Sequence, residues 1–444
     1  MAAERPKDLY LLILVPIFVG ILIYPLLKPK DVTKLGGPIA GLNRVEREKF
    51  DECKRYFEHE FTVSEGLGPL YNGQSCYSCH GSPGIAGGEG SDPAKANIIW
   101  VANRKLNRPL SEKPLSEVRH LLMLADVESV KAGPYLFRHS ITDLNSSGKS
   151  MVDESECKVE ASAEIPKVDL VSRRLAPPLF GVGMLNAVMD DDIDDHEDDA
   201  TDENSLNAGR SIDVHDPLTA KLRVGRFGWK AQSPNLVNMT SFMMNAGPGI
   251  STPLYEERII VDDLPRCILP HLPPDPNDMG AGAAKLIYYL SLLAPPERGP
   301  ITEEVKRGEQ VFQKLECAFC HTPSMQTAPS VRVIDPSSPA PKFHYNKVAA
   351  LSDKTFYPYT DMLLHYMGPA LSDGVPEGKS SGGEWRTPPL WGLRFRKHLL
   401  HDGRAGSIES AIKAHDGQAA DSRSAYEKLS PAEQQDLLQF LRSL

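Results

Sequence analysis

Two pentapeptides carry the most specific chemistry in this chain: Cys76-Tyr77-Ser78-Cys79-His80 and Cys317-Ala318-Phe319-Cys320-His321. Two cysteines separated by two residues, with a histidine directly after the second, form the attachment motif for c-type haem. The thiols become thioethers on the haem vinyl groups, and the imidazole becomes an axial iron ligand. Cys76, Cys79, Cys317 and Cys320 are therefore the expected cofactor-binding residues, with His80 and His321 as iron ligands. A four-cysteine zinc site is the competing reading. Zinc ribbons keep their two halves close in sequence, whereas these pairs lie far apart, and the histidine after each pair favours haem. Two covalently attached haems are expected.

Each motif needs helices to hold it. Asn43 to Phe61 alternates charge with Val45, Phe50, Cys53, Tyr56 and Phe57, an amphipathic helix pattern. Ala281 to Leu293 reads as an apolar helix stopped by Ala294-Pro295-Pro296. Ile301 to Leu315 is a second amphipathic helix that leads into Cys317. Ser430 to Ser443 is a third, with Ser430 as its cap and Pro431 in its first turn. The order helix, CxxCH, loop, distal ligand and closing helix is that of cytochrome c domains. The expected fold is mainly α: two cytochrome c-like haem domains, over 31–295 and 296–444, plus an N-terminal transmembrane helix within 1–30.

That anchor is Leu9 to Leu27, nineteen residues without a charge, just long enough to cross a bilayer as a helix. A cleaved signal peptide is the alternative, but no Ala-x-Ala site follows. Covalent haem attachment normally happens outside the bacterial inner membrane. The expectation is thus a single-pass inner-membrane protein with its haem domains in the periplasm. The formal net charge of -10, with no basic stripe, argues against nucleic acid as a partner. Met189 to Asn204, an insertion of mostly acidic residues, reads as a solvated loop. Calcium is the sharper reading of its carboxylates, although EF-hand spacing is absent. Of seven cysteines, Cys53, Cys157 and Cys267 lie outside the haem motifs and allow at most one disulfide among them.

Several further stretches fit one family. They are Arg174-Leu175-Ala176-Pro177, Gly225-Arg226-Phe227-Gly228-Trp229-Lys230-Ala231, Tyr288 to Arg298, Glu384 to Leu393 and Leu400-His401-Asp402-Gly403-Arg404-Ala405. With the second haem motif they resemble the bacterial di-haem oxidoreductase family, whose members carry peroxidase or thiol-oxidoreductase labels. The resemblance covers roughly residues 60–444. More distantly, the chain is similar to di-haem cytochrome c peroxidases and to the methylamine-utilisation di-haem enzyme. The resemblance implies two packed cytochrome c-like domains with one haem each. In the peroxidases one haem performs peroxide chemistry and the other relays electrons.

What decides between those roles is the far face of each iron, because an open site binds peroxide and a doubly ligated one transfers electrons. In the related peroxidases the distal ligand lies fourteen residues after the histidine of the His-x-Gly segment. Counting from His401 reaches His415, the expected partner of His321. Met362 and Met367 are rival ligands. Aligning Trp229 with His401 and Leu236 with Ile408 places Met243 where His415 stands, so Met243 is the expected distal ligand of the first haem. Met239 and Met244 are the other candidates, and packing in the core is the alternative for all three. The relatives place a glutamine and a glutamate where this chain has Met239 and Gly249. Peroxide cleavage needs such a distal acid-base group. The expected function is therefore electron transfer with a redox partner protein, a small cytochrome or a respiratory complex. A peroxidase-like enzyme reducing hydrogen peroxide is the alternative. Trp229 and Trp385 read as core residues or as intermediaries between the haems, and His401 as a group supporting the haem rather than a ligand.

Overall fold

The computed structural model describes residues 35–82, 88, 97–102, 139–140, 151, 170–202, 208–256, 258, 266–338 and 343–444. The apolar stretch 9–27, the glycine-rich loop 83–87 and Cys157 lie outside these residues, as does the side chain of Cys267. Among the described residues no helix is long and apolar enough to cross a membrane.

Eleven α-helices are seen among the described residues: α1 Arg44–Glu58, α2 Cys76–His80, α3 Val182–Asn186, α4 Asp190–Asp202, α5 Leu236–Ala246, α6 Ala281–Leu292, α7 Glu303–Lys314, α8 Cys317–Cys320, α9 Ile408–Ala414, α10 Ala420–Glu427 and α11 Pro431–Ser443. The strands form only two-stranded antiparallel pairs among these residues.

The helices form the same arrangement twice. In the first half, Phe50, Cys53 and Phe57 recur at three- and four-residue spacing and make the buried stripe of α1. Asn43 and Glu46 close a capping box at its start, which satisfies donors the helix leaves open. That stripe meets α6, with Phe50 and Phe57 each 5.0 Å from the Tyr289 ring. In the second half, Thr302 caps α7, and Val305, Gly308, Val311 and Phe312 form its buried stripe. It packs on α11, where Phe312 lies 5.1 Å from Phe440. Ser430 and Glu433 close the capping box of α11, with Pro431 in its first turn. Each buried aromatic of these pairs contributes about 1.5–3 kcal/mol. One buried cluster surrounds α1, α5 and α6, and a second surrounds α7 and α11. The first also takes Met325, Val333, Ile334, Phe356 and Trp391 from the C-terminal part of the chain.

Gly308 sets the distance between α7 and α11. A Cβ there would stand 2.0 Å from the Asp436 carbonyl oxygen and 2.7 Å from Phe440 Cβ. Alanine gains about 1 kcal/mol of helix propensity, but overpacking against backbone costs about 1–3 kcal/mol or more. Gly308→Ala is therefore expected to lower the guanidinium unfolding midpoint; a raised midpoint would show that the helices separate freely.

The acidic insertion departs from expectation. It is not a solvated loop: α4 occupies most of it. Ile193 is fully buried in the first core. Asp190 pairs with Arg223 at 2.8 Å and with the buried Arg226. Glu197 accepts the Ser211 backbone N–H at 2.8 Å. Three aspartates in the first turn also face the positive end of the helix dipole. Asp190 and Glu197 are thus engaged by neighbouring segments, and among the described residues the carboxylates of this run form no cluster close enough to share an ion.

Candidate haem sites

The first motif begins with Ser75, whose hydroxyl accepts the Ser78 N–H at 3.1 Å and starts the single-turn helix α2. His80 is held from behind by the Pro177 carbonyl, 3.0 Å from Nδ1. A carbonyl only accepts, so Nδ1 carries the proton and Nε2 keeps its lone pair for a metal. Burial, opposed by that bond, pushes the imidazole down to about 4, the neutral form that ligation needs. The Phe57 ring lies 6.5 Å from His80 at 49°.

The second motif reproduces this geometry. Glu316, in the left-handed region at φ 60°, turns the chain from α7 into α8. His321 Nδ1 donates to the Tyr359 carbonyl at 3.1 Å. Phe312 lies 6.4 Å from the ring at 48°. Burial, reinforced by His415, lowers His321 to about 4.

His415 faces His321, with ring centroids 6.5 Å apart. Its Nδ1 donates to the Ala411 carbonyl at 2.7 Å, which again leaves Nε2 for a metal. The separation would leave room for a metal ion between the two rings. Burial lowers the His415 pKa as well. Cys317, Cys320, His321 and His415 line one cavity together with Trp229, Trp385 and Arg386. Two opposed neutral imidazoles, two cysteines and an apolar enclosure fit a haem; Cys76, Cys79 and His80 repeat the proximal half of that set. A haem bound there supplies one-electron iron chemistry; the protein's part is to hold the imidazoles neutral and oriented and to exclude water. Met367 also lines the cavity, whereas Met362 is buried in the first core.

Helices α5 and α9 begin with the same kind of cap. Asn235 Oδ1 accepts the Asn238 N–H at 2.9 Å, as Ser407 Oγ accepts that of Ser410 at 3.0 Å. Met243 and His415 each stand eight residues past their cap (235 to 243, 407 to 415). The two differ in backbone: Met243 is within its helix, while His415 ends its own in extended conformation. Met239 and Met243 are partly buried at the edge of the first core, and Met244 is a core residue.

A buried ionic group unites the halves, and the sequence did not announce it. Arg174 binds Asp373 at 2.6 Å and also Glu377, all at most 4% exposed. Lys230 adds a second cation 3.5 Å from Asp373 and 4.0 Å from the Trp385 ring centroid. His401 also stacks on Trp385, at 3.8 Å and 10°. His401 also lines the second cavity. Trp229 donates Nε1–H to the Leu175 carbonyl at 2.8 Å. The segment from Arg174 to Pro177 therefore touches the ionic group, the second cavity and His80. Pro177 and Tyr359 were also missed as acceptors: Pro177 lies 97 residues from its histidine and Tyr359 lies 38 from its own. Cys53 is a buried free thiol, pushed up to about 12 by burial and the nearby Glu52.

A helical fold with two repeated histidine sites defines a di-haem cytochrome-like protein. The chain belongs to the family described as "Di-haem oxidoreductase, putative peroxidase", which matches residues 137–444. The match begins after the first motif, so Cys76 to His80 lie outside it. No curated protein matches the chain. Among the solved structures similar to it are the following three. One is Kuenenia stuttgartiensis hydrazine synthase (21% identity, TM-score 0.24, covering 37% of this chain and 55% of that one). The chain thus spans about half the length of that protein. Another is a MauG-like protein associated with microbial copper homeostasis (15% identity, TM-score 0.28, covering 78% and 92%). The third is the dihaem peroxidase BthA from Burkholderia thailandensis (14% identity, TM-score 0.32, covering 87% and 94%).

Proposed function

We propose that this di-haem oxidoreductase-family chain is an electron-transfer protein in which both irons carry two protein ligands: His80 and Met243 on the first, His321 and His415 on the second. The observation that carries the proposal is the distal helix α5. Its Met243 matches His415 in register, and it offers no acid-base pair at the two positions that the peroxidase relatives use. Met239 stands at one. Gly249 stands at the other with φ +77°, where an added Cβ would meet the Leu70 carbonyl oxygen at 2.8 Å. A carboxylate side chain therefore has no room at that position, and proton delivery to a bound peroxide has no donor there. Family membership favours a second reading, an enzyme that reduces hydrogen peroxide with electrons entering through the second haem.

The proposal includes covalent haem c at both motifs. It also includes an inner-membrane anchor at residues 9–27, haem domains on the periplasmic side, and a redox partner that is a small cytochrome or a respiratory complex. The uncharged run of nineteen residues and the site of covalent haem attachment in bacteria support this placement.

Absorption and EPR spectra of the oxidised and half-reduced protein, with a peroxide assay using a reduced small cytochrome, test it. Low-spin signals from both haems and turnover no better than free haem are expected. Met243→Ala is expected to turn one haem high-spin and leave the other unchanged. A high-spin haem in the half-reduced wild-type protein, with peroxide turnover, would establish the enzyme instead.

A further inference from the structure

Behind the second haem motif lies a buried pair that neither the motif nor the axial ligands require. His365 sits on the strand Leu364–Tyr366, opposite Trp385 of Glu384–Arg386. It is 2% exposed, and Asp361 is 3% exposed. His365 Nε2 lies 2.7 Å from Asp361 Oδ2, and Nδ1 lies 3.5 Å from Cys320 Sγ. The Asp361 N–H donates to the Cys320 carbonyl at 2.9 Å, which ties the pair to α8. Its other carboxylate oxygen accepts the Leu363 N–H at 2.9 Å, which fixes its orientation. His365 also lines the haem cavity.

The ligand atoms of Cys320, Asp361 and His365 are close enough to hold a metal ion. Attachment of haem removes that use, because a thioether has no thiolate to offer. It also settles the protons. A thioether sulfur carries no hydrogen and only accepts weakly, and the carboxylate only accepts. Both ring nitrogens then face acceptors, which is the arrangement of a doubly protonated imidazole. The Asp361 charge and hydrogen bond oppose burial and raise the His365 pKa, consistent with this.

We propose that His365, held by Asp361, is a positioning residue that raises the reduction potential of the second haem by pointing a charged N–H at the Cys320 thioether. The proposal rests on covalent attachment at Cys317 and Cys320. Reduction adds an electron to the haem, and the positive end of a fixed dipole beside it favours that state. Hydrogen bonding around the haem and local burial are established levers on potential.

The test is a redox titration of the full-length protein, resolved by haem, in wild-type, His365→Leu and Asp361→Asn forms. Asp361→Asn retains the imidazole and its packing but leaves it neutral, with a lone pair facing the sulfur, so the test does not depend on the leucine variant folding. Both variants are expected to shift the second haem to lower potential and to leave the first unchanged. An unchanged second midpoint in Asp361→Asn protein carrying both haems overturns the proposal. Intact mass under denaturing conditions separates this from the underlying reading. Wild-type protein with no haem attached at Cys317 and Cys320 removes that reading and the proposal with it, before any potential is measured.

Discussion

Replacing His415 by alanine is expected to convert the second haem from low-spin to high-spin while both haems remain covalently attached. The imidazole of His415 stands opposite His321, with 6.5 Å between ring centroids. Its orientation is set by one hydrogen bond, from Nδ1 to the carbonyl of Ala411 one turn earlier in α9. Alanine removes the donor atom, and the other imidazoles that line the cavity are engaged elsewhere, His365 with Asp361 and His401 on the Trp385 ring. Attachment depends on Cys317 and Cys320, which are untouched, so the haem content measured by mass is unchanged. His415→Met is expected to keep the haem low-spin and raise its midpoint, as methionine ligation does in cytochromes c. EPR and absorption spectra read both outcomes. A low-spin second haem in the alanine variant would assign the ligand to Met367, which lines the same cavity.

The second large effect belongs to Arg174. Arg174→Ala is expected to destabilise the protein by about 3–5 kcal/mol, the cost of leaving a buried ion pair without one partner. Asp373 and Glu377, 4% and 1% exposed, would lose the guanidinium that binds both. Lys230 lies 3.5 Å from Asp373 and offsets part of the loss there. The pH dependence follows from Asp373. Burial raises its pKa, but Arg174 and Lys230 outweigh burial and hold it below the ordinary carboxylate value. A carboxyl depressed in the folded state contributes stability above its unfolded pKa, and that stability is lost as pH falls through the folded value. The deficit of the variant should therefore be largest near neutral pH and shrink through the acidic carboxylate range. Guanidinium unfolding midpoints at several pH values measure this. Arg174→Lys should recover only part, because a point charge does not bind two carboxylates in the manner of a planar fork. A deficit independent of pH would mean that packing, and not charge, is what Arg174 provides. Because Leu175 and Pro177 follow it directly and hold Trp229 and His80, the variant should also broaden the spectra of both haems.

What could be read from the chain alone was what depends on neighbours in sequence. The haem motifs are five residues long, and attachment needs nothing beyond them. Helices α1, α6, α7 and α11 were legible because their apolar period and their caps, Asn43, Thr302 and Ser430, are local. Even His415 was reachable by counting from His401, since both lie on one continuous stretch. Helix α4 was not legible: its acidic run is held by Arg223 and Arg226, 33 and 36 residues from Asp190.

The tertiary structure decided what surrounds each iron site. Carbonyls distant in sequence occupy Nδ1 of His80 and of His321 and leave Nε2 of each available to a metal. A histidine 45 residues from Cys320 faces its sulfur. Arg174 meets carboxylates 199 and 203 residues away. Such contacts leave no period or spacing in the sequence, because burial and charge pairing act on distance in space. The two pentapeptides mark the two expected attachment sites; packing decides what surrounds each of them.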